Sequence, residues 1–133
     1  MRVFLDTNVL VAAFATRGIC ADLFRAVLLE PDLITGEPVL QELNRVLLRK
    51  LKFPETQIRE IILFLRNQAE VVKPKKAADW PEADPDDRWI VAAAIEGKAE
   101  ILVTGDKDLL EAKTQTGIRV VSPRGFWELL KAE

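Results

Sequence analysis

Short runs of consecutive apolar residues alternate along this chain with longer stretches in which apolar residues recur every three or four positions. The short runs are Val3-Phe4-Leu5, Leu33-Ile34-Thr35, Glu70-Val71-Val72, Ile101-Leu102-Val103 and Ile118-Arg119-Val120-Val121. Such runs read as strands, and an unbroken apolar run is the mark of a strand buried on both faces. The periodic stretches predict helices over about 7–15, 19–29, 37–51, from Pro54 onward, 88–97, after Asp106, and from Pro123 to the end. In the second, Ile19, Leu23, Ala26 and Val27 form one stripe, and Glu30-Pro31-Asp32 stops it. In the third, Val39, Leu40, Leu43, Val46 and Leu47 share a face, with Pro38 in the first turn. Ile58, Ile61, Ile62 and Leu65 do the same in the fourth. Residues 73–86 hold three prolines and many charges and read as a surface loop. Asp87 is expected to cap the fifth helix and Gly97 to end it. Strands alternating with helices imply an α/β fold with a mostly parallel sheet.

Composition narrows the chemistry more than the fold. The 133 residues are 49% apolar and 30% charged, which is ordinary for a globular protein and suits one domain spanning 1–133. No apolar stretch approaches the ~20 residues needed to span a bilayer, and the first residues lack the pattern of a signal peptide. A cytoplasmic protein without membrane contact is expected. There is no histidine, no tyrosine and one cysteine, Cys20. Ser-His-Asp and Cys-His catalysis, histidine-ligated zinc and an internal disulfide are thereby removed. A net charge of −2 gives no global basic field of the kind a nucleic-acid-binding module usually carries. Basic residues do group locally, as Arg45, Arg49, Lys50 and Lys52 and as Lys73, Lys75 and Lys76. Each group is read first as a solvated face. Arg45, Arg49 and Lys107 are the candidate substrate-binding cations.

What remains is carboxylate chemistry. Asp6 and Asp106 follow predicted strands directly, Glu42 lies at the edge of an apolar helix face, and Asp87 shares a helical face with Ile90, Val91 and Ala94. In an open α/β sheet, ligands bind outside the carboxyl ends of the strands. Carboxylates gathered there repel one another unless a cation lies between them. Mg²⁺ takes oxygen ligands, and two such ions can stabilise both the attacking and the leaving oxygen of a phosphoryl displacement. Each acid also has a plainer reading: Asp6 as a helix cap, Glu42 as a surface glutamate, Asp108 as a first-turn acid favoured by the helix dipole. Asp84 and Asp86 are expected to face solvent or to sit outside the inner ligands. Thr7 and Asn8 beside Asp6, and Thr104 before the tight turn at Gly105, could orient a carboxylate or a water. Ala92-Ala93-Ala94 would let its helix pack closely on the sheet. Among Trp80, Trp89 and Trp127, base stacking is conceivable, with Trp127 read as core and Trp89 as a rim or subunit-contact residue.

Four segments in order, at this spacing, resemble one known family. They are Val3-Phe4-Leu5-Asp6-Thr7-Asn8-Val9-Leu10, Glu42 in a helix after the second strand, Asp87 through Ala94, and Thr104-Gly105-Asp106-Lys107-Asp108-Leu109. The chain resembles the PIN-domain ribonucleases, above all the VapC-like toxins of toxin–antitoxin systems. The resemblance implies a three-layer α/β/α fold with about five central strands and endoribonuclease activity dependent on Mg²⁺ or Mn²⁺. It makes Asp6, Glu42, Asp87 and Asp106 the metal-binding acids, with Asp108 and Thr104 as helpers. It also implies an RNA substrate, a homodimer and a cognate antitoxin that enters the acidic groove. Two other classes compete: a phosphoacceptor signalling domain, to which Thr104 and Lys107 superficially belong, and a PIN-like RNA-binding module without catalysis. The first normally needs an acid pair after its first strand, where this chain has one acid.

Overall fold

A computed structural model describes residues 1–29, 32–111 and 117–132. Five strands form one parallel sheet: β1 (Arg2–Leu5), β2 (Asp32–Gly36), β3 (Glu70–Val72), β4 (Ile101–Val103) and β5 (Arg119–Val121), in the order β3-β2-β1-β4-β5. Every pair is parallel, which requires helical crossovers between strands. The described helices are α1 (Thr7–Ala15), α2 (Ile19–Leu29), α3 (Glu37–Arg45), α4 (Glu55–Gln68), α5 (Pro85–Glu96), α6 (Lys107–Glu111) and α7 (Pro123–Ala132). Glu30 and Pro31, the expected stop of α2, lie outside the described residues. The α/β architecture expected from the alternation is present, with helices flanking a five-stranded sheet. No described helix is long and apolar enough to cross a membrane.

The three central strands β2, β1 and β4 are the most deeply buried, and Val3, Phe4, Leu5, Ile34, Leu102 and Val103 are fully covered. The apolar stripes read from the sequence meet them, with Leu23, Val27, Leu43, Leu47, Ile58 and Leu65 in the same core. The chain fills β1, β2 and β3 outward on one side, then crosses back to place β4 on the other. The strand order therefore reverses at β1, and the crevice between the carboxyl ends of β1 and β4 is the topological switch point where such sheets bind ligands.

Four local expectations are corrected. Helix α5 starts at Pro85, not Arg88, and its cap is Asp84, whose carboxylate accepts from Asp86 N at 2.8 Å. Pro85 suits that first turn because it has no amide hydrogen to leave unpaired. Gly97 does follow α5, but with an ordinary φ of −78°; it is Lys98 that takes the left-handed conformation. Gly97 is small for a different reason, since a Cβ there would lie 2.8 Å from Ile34 Cγ2. Gly105 likewise has no positive φ, and a Cβ there would make only ordinary contact with Asn8. Finally, the third helix widens after Arg45 into a π turn over Val46–Lys50, where Leu51 N bonds to Val46 O.

Gly36 sets the distance between the sheet and α5. Its backbone is extended, at φ −142° and ψ 160°, so any residue could adopt it. The constraint is contact: a Cβ would meet Ala93 Cβ at 2.6 Å and Val72 O at 3.2 Å. This is the close approach that the alanine run suggested. Gly36→Ala is expected to cost about 1–3 kcal/mol through overpacking, read as a lower urea midpoint with an unchanged slope. A neutral result would show that α5 is free to shift.

Candidate active site

Asp6 leaves β1 at the switch point and is 3% exposed. Its N–H donates to Val103 O at 2.9 Å, which locks it beside the end of β4. The residue is also the cap of α1, with Oδ1 accepting from Thr7 N at 2.7 Å. Oδ2 accepts from the Thr104 hydroxyl at 2.7 Å and from Asn8 Nδ2 at 3.2 Å. Capping and positioning are thus one arrangement. The fully buried Thr104 hydroxyl also accepts from Asp106 N at 2.9 Å, and Asp106 Oδ1 accepts from Asp108 N at 2.8 Å. Asn8 Oδ1 accepts from Gly105 N at 3.0 Å. A continuous set of bonds therefore runs from α1 through Asp6 and Thr104 into the turn that presents Asp106.

Thr104 is a positioning residue in this network. Thr104→Val keeps its shape but leaves Asp106 N and Asp6 Oδ2 each short of a partner. We expect a stability loss of about 1–3 kcal/mol and a ten- to hundred-fold loss of any activity that Asp6 supports, as for other outer supports of ligand carboxylates. Thr104→Ser should restore most of both. Equal behaviour of the valine and serine variants would remove the hydroxyl from the account.

An open cleft of about 530 Å³ lies over this network. Glu42, Asp84, Asp86, Asp87, Asp106 and Asp108 contribute its acidic wall, and Arg45, Arg49 and Lys50 its basic one. Helix α3 brings Glu42, α5 brings Asp87, and the π turn carries Arg49 and Lys50. Sequence reasoning missed the cleft position of Lys50, because a widened turn has no clear mark in the residue pattern. Lys107 is not part of the cleft. It is largely exposed and lies 3.8 Å from Glu111 on its own helix. That placement also disfavours the phosphoacceptor alternative, which needs a lysine at the acids. Another groove of about 470 Å³, lined by Leu48, Ile58 and Ile62 among others, holds none of the four acids.

The electrostatics are those of crowded carboxylates. Burial raises the Asp87 carboxyl to about 7, and Asp106, Asp6, Asp84 and Glu42 add to it in that order. Burial also raises Asp6, against the bonds from Thr104 and Thr7. Glu42 is raised by burial and then by Asp6 and Asp86, while Thr7 and Arg45 oppose the shift. The Thr7 hydroxyl acts on Glu42 without meeting the geometry of a hydrogen bond, so it remains a buried oxygen without a full partner.

Among the described residues no three acids converge tightly enough to hold an ion as they stand. The donor set nonetheless fits a hard divalent cation. It is made of carboxylate oxygens, and an unpartnered buried hydroxyl waits beside Asp6 and Glu42 for a ligand or water. Trp80 is mostly buried with Val91 and Leu109, although it also lines a pocket of about 360 Å³ with Asp84, Asp87 and Asp108. Its loop is held by Arg88, whose Nε donates to Ala78 O at 2.9 Å. Trp127 packs against the main core, as expected, and Trp89 is 37% exposed.

Solved structures share this fold over nearly the whole chain. The VapBC-1 structure from nontypeable Haemophilus influenzae is 19% identical, covering 93% of this chain and 99% of that one with a TM-score of 0.69. VapBC2 from Rickettsia felis, bound to a DNA fragment from its promoter, is 17% identical, covering 92% and 98% with a TM-score of 0.68. The PIN domain endonuclease Utp24 is 20% identical, covering 91% and 84% with a TM-score of 0.51. No curated protein matches significantly. Residues 2–108 match the PIN-domain family, a span that begins with the strand leading to Asp6 and ends at Asp108, so it takes in all four acids and the network between them. On that match the chain belongs to the PIN-domain family.

Proposed function

We propose that this protein is an endoribonuclease dependent on Mg²⁺ or Mn²⁺, and the toxin of a toxin–antitoxin pair. The observation that carries the reading is Asp6, held by bonds from three directions at the switch point of a PIN-domain sheet, with Glu42, Asp87 and Asp106 electrostatically coupled to it. These four acids would hold the metal, with Asp108 beside them. When bound, divalent metal supplies an activated water and charge compensation for the departing oxygen of an in-line phosphoryl displacement.

The protein's own residues do the rest. Asp6 cannot rotate away, because both of its carboxylate oxygens are engaged. Thr104 and Asn8 fix the turn that presents Asp106. Thr7 offers a hydroxyl to a bound water or to Glu42. Asp87, raised to about 7, is roughly half-protonated near neutral pH in the metal-free state and must be deprotonated for the site to load. Arg45, Arg49 and Lys50 lie along the cleft where phosphates of the strand would run.

The toxin assignment rests on fold similarity to the VapBC structures together with the retained acids. A cognate antitoxin would present a basic segment to the acidic wall, and a homodimer is the expected form of the free protein. The testing experiment is cleavage of a mixed single-stranded RNA pool with Mg²⁺, Mn²⁺ or excess chelator. Cleavage with either metal and none with chelator is expected. Cleavage that persists in excess chelator would overturn the metal requirement.

A further inference from the structure

A second pocket, of about 250 Å³, opens beside the acidic cleft and shares Glu42, Arg45 and Asp86 with it. Trp89, two residues after Asp87 on α5, lines it together with Lys73, Gln41 and Glu37. From this juxtaposition we infer that the pocket binds one unpaired nucleotide next to the scissile phosphate, with its base stacked on Trp89 and its phosphate held by Lys73. The inference rests on the nuclease reading and adds the subsite that would select the neighbouring nucleotide.

Three observations support it. Trp89 is a large aromatic side chain left 37% exposed in the first turns of a helix whose next residues, Ile90 to Ala94, are buried. The charges around it suit a neutral base with phosphates at the rim. Arg66 engages Glu37 through both carboxylate oxygens, at 2.5 and 3.1 Å, and Arg45 lies 3.9 Å from Asp86. Lys73 makes no close ion pair among the described residues, although its charge also acts on Glu37, so its ammonium keeps donors for an incoming phosphate. At about 250 Å³ the space is too small for a duplex, and stacking on an aromatic face is how single strands are held without base pairing. Gln41, in the lining, carries both a donor and an acceptor for a base edge.

The test uses a single-stranded RNA of mixed sequence on wild type, Trp89→Phe, Trp89→Ala and Lys73→Ala. Binding is followed by tryptophan fluorescence with metal omitted, and cleavage is measured in parallel with Mg²⁺. We expect RNA to quench wild-type fluorescence and the Trp89→Phe variant to lose that quench while keeping most of its affinity. Trp89→Ala should weaken binding by roughly ten-fold, the scale of one stacked base, and should raise KM with little change in kcat. Lys73→Ala should weaken binding and flatten its salt dependence. Wild-type cleavage with no Trp89-dependent quench would overturn the subsite and leave the nuclease standing. Neither binding nor cleavage in any condition would remove both. A Trp89→Ala variant with unchanged RNA affinity but an altered oligomeric state would assign the patch to contact between copies and overturn the inference.

Discussion

Replacing Asp6 with asparagine is expected to lower RNA cleavage by about 10²–10³-fold, the range seen when one preorganised electrostatic group is removed from an active site. The substitution keeps the size of the side chain and the bond from Thr7 N to its remaining oxygen. What it changes is the other edge, where Oδ2 accepts from the Thr104 hydroxyl and from Asn8 Nδ2. An amide nitrogen placed there would face the Asn8 amide nitrogen, so the Asn8–Gly105 link should also loosen. The negative charge needed to hold a divalent ion is lost at the same time. The fold should persist, because the helix cap survives. Parallel measurements of cleavage and of the thermal midpoint decide the matter. Full activity in Asp6→Asn would sink the assignment of this cleft as the active site, and unfolding of the variant would instead make Asp6 chiefly structural.

Asp87→Asn is expected to lose cleavage to a similar degree while making the metal-free protein more stable above neutral pH. The Asp87 carboxyl titrates at about 7 in the fold, well above the unfolded value near 3.9. A carboxyl raised in this way binds its proton more tightly when folded. Its favourable contribution is fully present below about pH 4 and is lost as pH rises through about 7. Asp6 and Glu42, also raised, act in the same direction. With Asp87 half-exposed and screened by solvent, its share is on the order of 1–2 kcal/mol. Urea midpoints in chelator should therefore fall for wild type between pH 5 and pH 8, and fall less for Asp87→Asn. Added Mg²⁺ or Mn²⁺ should reverse the wild-type trend, because carboxylate ligands must be deprotonated to bind metal. Identical pH slopes for the two proteins would exclude Asp87 as the main source.

Much of this was legible in the residues. The five apolar runs became five strands because fully buried parallel strands need unbroken apolar sequence, and β1 and β4 have it. Asp6 was identifiable because one residue stands between Leu5, which ends a strand, and Thr7, which starts a helix. The misses have two causes. Asp84 competes with Asp87 for the cap of α5, and only Pro85, suited to the first helical position, separates them. Gly97 looked like a left-handed helix end, yet its neighbour Lys98 takes that conformation and Gly97 answers to Ile34 on another strand. Trp80 lay in a proline-rich loop that reads as exposed until Arg88 is seen to hold it. Lys107 shares a motif with Asp106 but points along its own short helix. Pro85 marked the cap locally and Lys107 stays on its own helix, whereas Gly97 and Trp80 depend on contacts with other segments, about which local pattern carries no information. The Thr104–Asp6 bond depends on the same kind of contact, since the register of β1 against β4 sets it.

That bond joins residues 98 positions apart. Parallel pairing of this kind forms late, because the entropy of closing so long a loop is spent before any contact repays it. A nascent chain emerging from the ribosome has Asp6 and Glu42 early but lacks Asp87, Thr104 and Asp106 until α5, β4 and the turn after it are made. The central strand β1 waits, one edge unpaired, for β4 to arrive. Catalytic competence therefore belongs to the finished fold alone, and a chain interrupted during synthesis would carry half of the acids and none of the chemistry. For a PIN-domain nuclease, the sheet order itself withholds activity until β4 and the turn after it have been made and paired.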